Sequence, residues 1–565
     1  MKGKSSNSLL TPGAAVRRLY AVRRLYLMTA VLALVACGGK SSNSSSYTVG
    51  GTITGLKAGS LVLIYNSSTT LSVAAGATTW VFATSFTAGS SYSVTVLTQP
   101  AGELCEVSGG SGSALTADVD NVTVVCSDYG QWTWEGGLDT VNVGGAYGTQ
   151  GAAAANNLPG ARYDSSSWTD SSGNLWLFGG NGYDSTGTLG SLNDLWRYSP
   201  STGLWTWVSG GNGDNASGVY GTLGTAAAGN VPGARYAASS WIDSSGNLWL
   251  FGGYGNDSAG NVGRLNDLWR YSPTTGQWTW ISGGNAGNAS GVYGTLGTGA
   301  AGNVPGARYS ASAWIDASGN LWLFGGVGYD SSVAVGNLND LWQYSPSTGQ
   351  WTWVSGEDGI NASGVYGTHG IAAASNLPGA RQAANSWIDS SGDLWLFGGI
   401  GYDSSGAAGY LNDLWHYSPS TGLWAWISGG STGDASGVYG TEGTAAAGNL
   451  PGARQAANSW IDSSGTMWLF GGYGYDSSGD VGALDDLWRY SPGTGLWTWV
   501  SGGSGADATG SYGTQGTVSA SAVPGARQAA NSWIDSSGHL WLFGGVGYGS
   551  TGNGYLSDLW QFVPP

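Results

Sequence analysis

An all-β repeat protein is what this 565-residue sequence predicts, on three observations. The first is periodicity. The proline of a Pro-Gly-Ala-Arg run falls at Pro159, Pro232, Pro305, Pro378, Pro451 and Pro524, always 73 residues apart. The second is composition, with 102 Gly and 31 Trp but only 9% charged residues. Glycine at this level without a three-residue period marks low complexity, yet disordered chains lack aromatics; Gly-rich turns between aromatic strands fit both facts. The third is the interior of each period, where four short β-branched and aromatic runs alternate with polar turns. The chain is too long for one compact core, so more than one domain is expected.

The chain opens with a segment that reads as an export signal, residues 1–36. Arg17, Arg18, Arg23 and Arg24 supply a basic start, and the apolar run Leu25–Ala36 is short for a membrane span. The run ends in Leu34-Val35-Ala36-Cys37-Gly38, followed by a Gly/Ser/Asn tether that completes residues 37–46. This junction resembles the lipobox of bacterial lipoproteins. The resemblance implies cleavage before Cys37, lipidation of Cys37, and a lipid anchor in the cell envelope, at the outer membrane or cell surface because Gly follows the cysteine. The alternative is an ordinary cleaved signal with Cys37 a bystander.

Residues 47–127 carry short apolar runs at Leu61–Tyr65, Trp80–Phe82, Tyr92–Leu97 and Val122–Val125, separated by Gly, Ser and Asn. About eighty residues of this kind make a small β-sandwich. The region looks like the Ig-like modules of bacterial surface proteins, which implies a spacer. Cys105 and Cys126 are the remaining cysteines, and an exported chain meets an oxidising compartment, so they are paired as a disulfide.

Residues 128–565 span six periods. In the first, the strand-like runs are Tyr163–Asp170, Asn174–Phe178, Asp194–Tyr198 and Leu204–Val208. Four antiparallel strands per repeat describe a propeller blade. An apolar run ending in Gly-Gly, then Asp-Leu-Trp-Arg-Tyr-Ser-Pro, then a Trp after a short turn, resembles the kelch signature, as in the central domain of galactose oxidase. The sixth repeat lacks a fourth strand, and Gln131-Trp132-Thr133-Trp134 matches Leu204-Trp205-Thr206-Trp207. The expected architecture is therefore a six-bladed kelch-type β-propeller closed by an N-terminal strand and preceded by a small β-sandwich. Five Trp recur at fixed phase in each blade, which points to packing between blades rather than to sugar platforms.

Strand direction alternates, so the long connectors and the starts of the first strands share one face, where rigidly held loops favour binding. That face carries Arg162, Arg235, Arg308, Arg381, Arg454 and Arg527, in phase with Asp194, Asp267, Asp340, Asp413, Asp486 and Asp558. The two rings read either as ion pairs between blades or as guanidinium forks for ligand carboxylates. The clearest departure from repetition is the next residue: Tyr163, Tyr236 and Tyr309, then Gln382, Gln455 and Gln528. Half the channel mouth would be aromatic and half amide-lined, which suits a glycan or a peptide. The Asp/Ser/Gly loops such as 474–482 lack the Asp-x-Asp-x-Asp spacing of calcium loops, and Gly549 replaces the Asp in the last blade. No metal and no cofactor is assigned.

Galactose oxidase chemistry needs copper held by His and Tyr with a Cys-linked Tyr; residues 128–565 contain no Cys and only His369, His416 and His539. A second kelch activity, sialic-acid mutarotation, needs an acid/base and an Arg, and Glu357 or Glu442 would supply the former. The blades are near copies, and catalysis asks for one asymmetric site, so no catalytic residue is assigned. Net charge is −16, and −22 once the first 36 residues are removed, leaving 12 Lys/Arg against 34 Asp/Glu. That charge opposes binding to nucleic acid or to anionic membrane surfaces. The reading is a lipid-anchored, non-catalytic binding or adhesion scaffold for an unidentified glycan or protein, with a mutarotase-type enzyme as the alternative.

Overall fold

Residues 46–564, apart from 58, 60, 101, 102, 129 and 520, are described by a computed structural model. The export signal, Cys37 and all but the last tether residue lie outside the described residues. Within them every regular element is a strand, and no helix is long and apolar enough to cross a membrane.

The N-terminal unit is two four-stranded sheets. One runs in the order Thr79–Val81, Val49–Thr54, Val119–Asp128, Glu103–Ser108; the other runs Thr69–Val73, Leu61–Tyr65, Tyr92–Thr98, Ser111–Gly112. Leu61–Tyr65 alternates buried and half-buried residues, as a strand with one face on a core must. Val49, Ile53, Leu61, Leu63, Val122 and Val124 are the heart of that core, with Trp80 at its edge. Val119–Asp128 pairs parallel with Val49–Thr54 and antiparallel with Glu103–Ser108. The antiparallel register sets Cys126 opposite Cys105, and the two form a disulfide.

Each 73-residue repeat folds into its own antiparallel sheet. In the first repeat the order is Ser166–Thr169, Leu175–Tyr183, Leu189–Ser199, Leu204–Ser209. Residues 175–180 are buried without alternation, because both faces of the sheet are covered. Neighbouring repeats supply the cover. Trp168, Trp176, Phe178 and Leu195 pack against Leu248, Leu250, Trp269 and Trp278 of the second repeat. The same contact recurs down the chain and returns to its start, where Trp533, Trp541 and Phe543 of the sixth repeat pack on Leu175, Leu177 and Trp196 of the first. The strand Trp132–Gly136 pairs with Leu559–Phe562, with Trp132 opposite Phe562, and so fills the place of the missing fourth strand. The result is a propeller-like array of repeated four-stranded sheets.

The structure departs from the sequence reading in three ways. The first strand is broken. Arg162–Tyr163 and Ser166–Thr169 pair separately with Leu175–Tyr183, and between them Asp164 has φ 51°. Ala237, Ser310, Ala383, Ala456 and Ala529 adopt the same left-handed conformation, which costs a non-glycine residue roughly 1 kcal/mol or more. The offsetting gain is a ring of backbone hydrogen bonds. Asp164 N–H donates to Ala529 C=O at 2.9 Å, Ala237 N–H to Asp164 C=O at 2.7 Å, and so on through Ser310, Ala383 and Ala456 back to Ala529.

The long connectors, in turn, are not only face loops. Ala153–Ala154 pairs with Trp205 and Thr206, and bridges such as Ala227 to Trp278 repeat this. The outer edge of each such sheet is thereby covered, which blunts edge-to-edge pairing with other chains.

The Arg and Asp rings, finally, form ion pairs within each repeat, not between repeats. Arg162 Nη1 and Nη2 donate to both oxygens of Asp194 at 2.7 and 2.8 Å. Tyr147 and Trp196 donate to the same carboxylate, and Arg162 also donates to Gly160 C=O and Gly179 C=O. Equivalent pairs link Arg235–Asp267, Arg308–Asp340, Arg381–Asp413, Arg454–Asp486 and Arg527–Asp558 at 2.6–2.7 Å. Removing one partner from such a pair leaves a buried charge uncompensated. Asp340→Ala is expected to cost about 3–5 kcal/mol in denaturant unfolding, and adding Arg308→Met should recover much of that loss.

Candidate functional site

The axis of the repeat array is the natural place for a site, because every repeat contributes to it. Two cavities are lined by equivalent residues from all six repeats. One, of about 310 Å³, is walled by Ser-Trp-Ile triplets such as Ser240, Trp241 and Ile242. The other, of about 180 Å³, is walled by the residues of the left-handed bend, mostly Ala, with Ser165, Ser310 and Asp164. The second lies toward the face where the first strands begin, so Tyr163 and its equivalents stand next to it along the chain.

The structure separates the two sets of residues singled out in the sequence. The six arginines are at most 1% exposed, and each fork is taken up by its own Asp. In Arg162 burial works against the charge, and Asp194 outweighs it, so the guanidinium holds its proton more tightly than usual. These side chains build the fold and do not reach the mouth. Tyr163, Tyr236, Tyr309, Gln382, Gln455 and Gln528 are half-buried and remain accessible. Glu357 and Glu442 are exposed on connectors.

Strand register extends each mouth residue into a row. Tyr163 lies opposite Asn181, which lies opposite Ser191. The next rows are Tyr236, Tyr254, Arg264 and then Tyr309, Val327, Asn337. The amide half continues with Gln382, Ile400, Tyr410, then Gln455, Tyr473, Ala483, then Gln528, Val546, Tyr555. No two rows are alike. By contrast Leu-Trp-Leu-Phe-Gly-Gly recurs in the second strand of every repeat with Met467 as the single change.

The tyrosines touch one another. Tyr163 stacks on Tyr555 at 5.4 Å and lies 6.0 Å from Tyr236; Tyr236 meets Tyr254 at 5.6 Å, and Tyr254 meets Tyr309 at 5.8 Å. The Arg264 guanidinium sits 5.5 Å from the Tyr309 ring. An arc of five aromatic rings and one cation therefore runs around half the mouth. Ring faces of this kind take up the C–H faces of sugars or organic cations. Burial pushes the Tyr236 phenol up to about 12, and raises Tyr163 further with help from the charge on Asp164. Both are neutral donors at physiological pH.

Asp164 escaped the sequence reading. Its equivalents are Ala237, Ser310, Ala383, Ala456 and Ala529, so it is the only acid at that phase, and aligning the repeats one residue past the Arg-Tyr pair would have exposed it. Its side chain is half-buried and lines the small cavity. That burial pushes the carboxyl up to about 7.

Among the described residues one other grouping has metal-type ligands. Asp389, Asp393 and His416 each offer an atom within 4.8 Å of the others. Asp393 Oδ2 lies 3.0 Å from His416 Nε2, which already accounts for that contact as a hydrogen bond. Asp389 accepts from Ser391 N–H, Asp393 N–H and Trp395 Nε1 as Asp170 accepts from its own turn, so its role is turn closure. No protein-family model and no curated protein matches this chain.

The Asp164 carboxyl sets a pH dependence. Its folded value near 7 lies above the ordinary 3.9, so the native state holds a proton that the unfolded chain releases between pH 4 and 7. Stability from this group is thus full below about pH 4 and falls as pH rises to about 7, by at most about 4 kcal/mol. Asp164→Asn suits the positive φ and removes the titration. Its melting temperature should equal that of the wild type at pH 4 and exceed it at pH 8; equal values at both would place the carboxyl in bulk solvent.

Proposed function

We propose that the chain is a six-bladed kelch-type β-propeller borne on an Ig-like β-sandwich, anchored through a lipid on Cys37 in a bacterial cell envelope, and that it acts as a surface binding or adhesion scaffold without catalysis. Its ligand is a glycan, taken up on the face of the propeller where the tyrosine arc lies. One observation carries this reading. The repeats are nearly identical wherever they pack, and they differ from one another in the six rows around the mouth. The half-exposed rings of Tyr163, Tyr236 and Tyr309 offer stacking faces, and the amides of Gln382, Gln455 and Gln528 offer both donors and acceptors for hydroxyl groups. A protein ligand is the broader form of the same reading. The mutarotase alternative is weaker because it needs a free guanidinium, and all six in-phase arginines are engaged with Asp.

Equilibrium binding of the full chain to a glycan array tests the proposal. Saturable binding to one class of glycan is expected. Tyr163→Ala and Tyr236→Ala should each weaken it about tenfold, equivalent to about 1.4 kcal/mol. Ser201→Ala, in an exposed turn after the third strand, should leave it unchanged. Absence of binding across the array, or binding indifferent to both tyrosines, would overturn the glycan reading.

A further inference from the structure

We propose that Asp164 anchors an ammonium group of the ligand, so that the glycan at the mouth carries a free amine; this rests on the glycan reading above and narrows it to amino sugars. Asp164 is the only charged side chain lining either axial cavity. Buried charges are ordinarily paired, because an unpaired one costs several kcal/mol. Yet the Asp164 carboxylate forms no hydrogen bond or ion pair with another group among the described residues, whereas Asp194 two strands away accepts from Arg162, Tyr147 and Trp196.

The fold does not need this carboxylate. What the position contributes to the fold is its backbone, whose N–H and C=O join the axial ring, and alanine does the same at Ala237, Ala383, Ala456 and Ala529. No ion pair links Asp164 to Arg162 or to Arg264. Arg162 is locked to Asp194, and Arg264 lies against Tyr309. The cavity is left with one carboxyl without a partner group, two hydroxyls and alanine methyl groups.

That donor set selects among cations. Calcium takes six to eight oxygens and usually more than one carboxylate, which this cavity does not offer. A single carboxylate with hydroxyl neighbours matches a singly charged group with N–H donors. The aromatic arc beside it argues that the charge arrives on an organic body, since ring faces attract ammonium groups and the C–H bonds next to them. At about 180 Å³ the cavity has room for an ammonium group and the carbon that bears it, with the rest of the sugar at the tyrosines.

The test compares a tetramer of glucosamine, the same tetramer fully N-acetylated, and 1,5-diaminopentane, each titrated calorimetrically into the full chain and into Asp164→Asn at pH 8. A melting curve first confirms that the variant is folded. The expected result is that the wild type binds the free-amine tetramer at least tenfold more tightly than the acetylated one, and that Asp164→Asn abolishes the difference. If both tetramers bind equally to both proteins, the ammonium site is overturned and the glycan site at the mouth stands. If the amine preference persists in Asp164→Asn, it comes from the acidic surface at large, and the proposal is again overturned. If neither tetramer binds but the diamine does, and loses affinity in the variant, the ammonium site stands and the glycan reading falls.

Discussion

The buried Arg–Asp pair of each repeat is the interaction on which the rest of the architecture depends. It ties three separate pieces of chain together. The arginine comes from the start of the broken first strand, the aspartate from the middle of the third, and the tyrosine that shares its carboxylate from the connector. Because a guanidinium fork and a carboxylate fit in essentially one geometry, the pair fixes the register between these pieces more narrowly than apolar packing does. A full set of donors around each carboxylate and acceptors around each guanidinium is also what makes two charges tolerable at this depth. The Trp indole that completes the set is itself fully buried, as in Trp196 and Trp342. Polar network and hydrophobic core are thus one structure.

A second constraint follows from the first. With the arginine pinned, the next residue still pairs in the strand, and the one after it bends into the left-handed region. That bend turns its backbone toward the axis, where six N–H groups find six C=O groups of neighbouring repeats. Farther along the inner strands a side-chain belt does the same. Ser166, Ser239 and Ser312 donate to the following repeat, and so do Asn385, Asn458 and Asn531 with a longer reach. These links use only backbone and short polar groups, so they do not depend on which side chains stand just outside them. The mouth rows are free to vary for that reason, and a binding surface placed there costs the fold little.

Much of this was legible in the sequence. Period, strand count and the complement between the N-terminal Trp132-Thr133-Trp134 and the unfinished last repeat follow from side-chain pattern alone, because β-strand packing is local and repeats itself. The pairing of Cys105 with Cys126 was legible once Cys37 is set aside for lipidation, because these two are the remaining cysteines. The features that were not legible depend on geometry that pattern does not encode. Arg162 and Asp194 read as partners between blades, because a shared phase does not say which copy of the ring each one faces; the structure pairs them within one repeat. The break after Tyr163 was hidden because five of the six repeats carry alanine or serine there, which are not signals of positive φ; it accompanies the axial ring of backbone hydrogen bonds. The connector that pairs with Trp205 consists of alanine, which carries no strand signature.

Asp164 shows what repetition can reveal once the fold is known. In a chain of near copies, most differences between repeats are free of consequence, because duplication and drift produce them on exposed loops. A difference that opposes the physics of its site is another matter. Five repeats place alanine or serine at the axial bend and put no charge there. The first places a carboxyl that burial pushes up to about 7 and that forms no ion pair among the described residues. The proposed ammonium ligand would supply the positive charge that this carboxylate lacks.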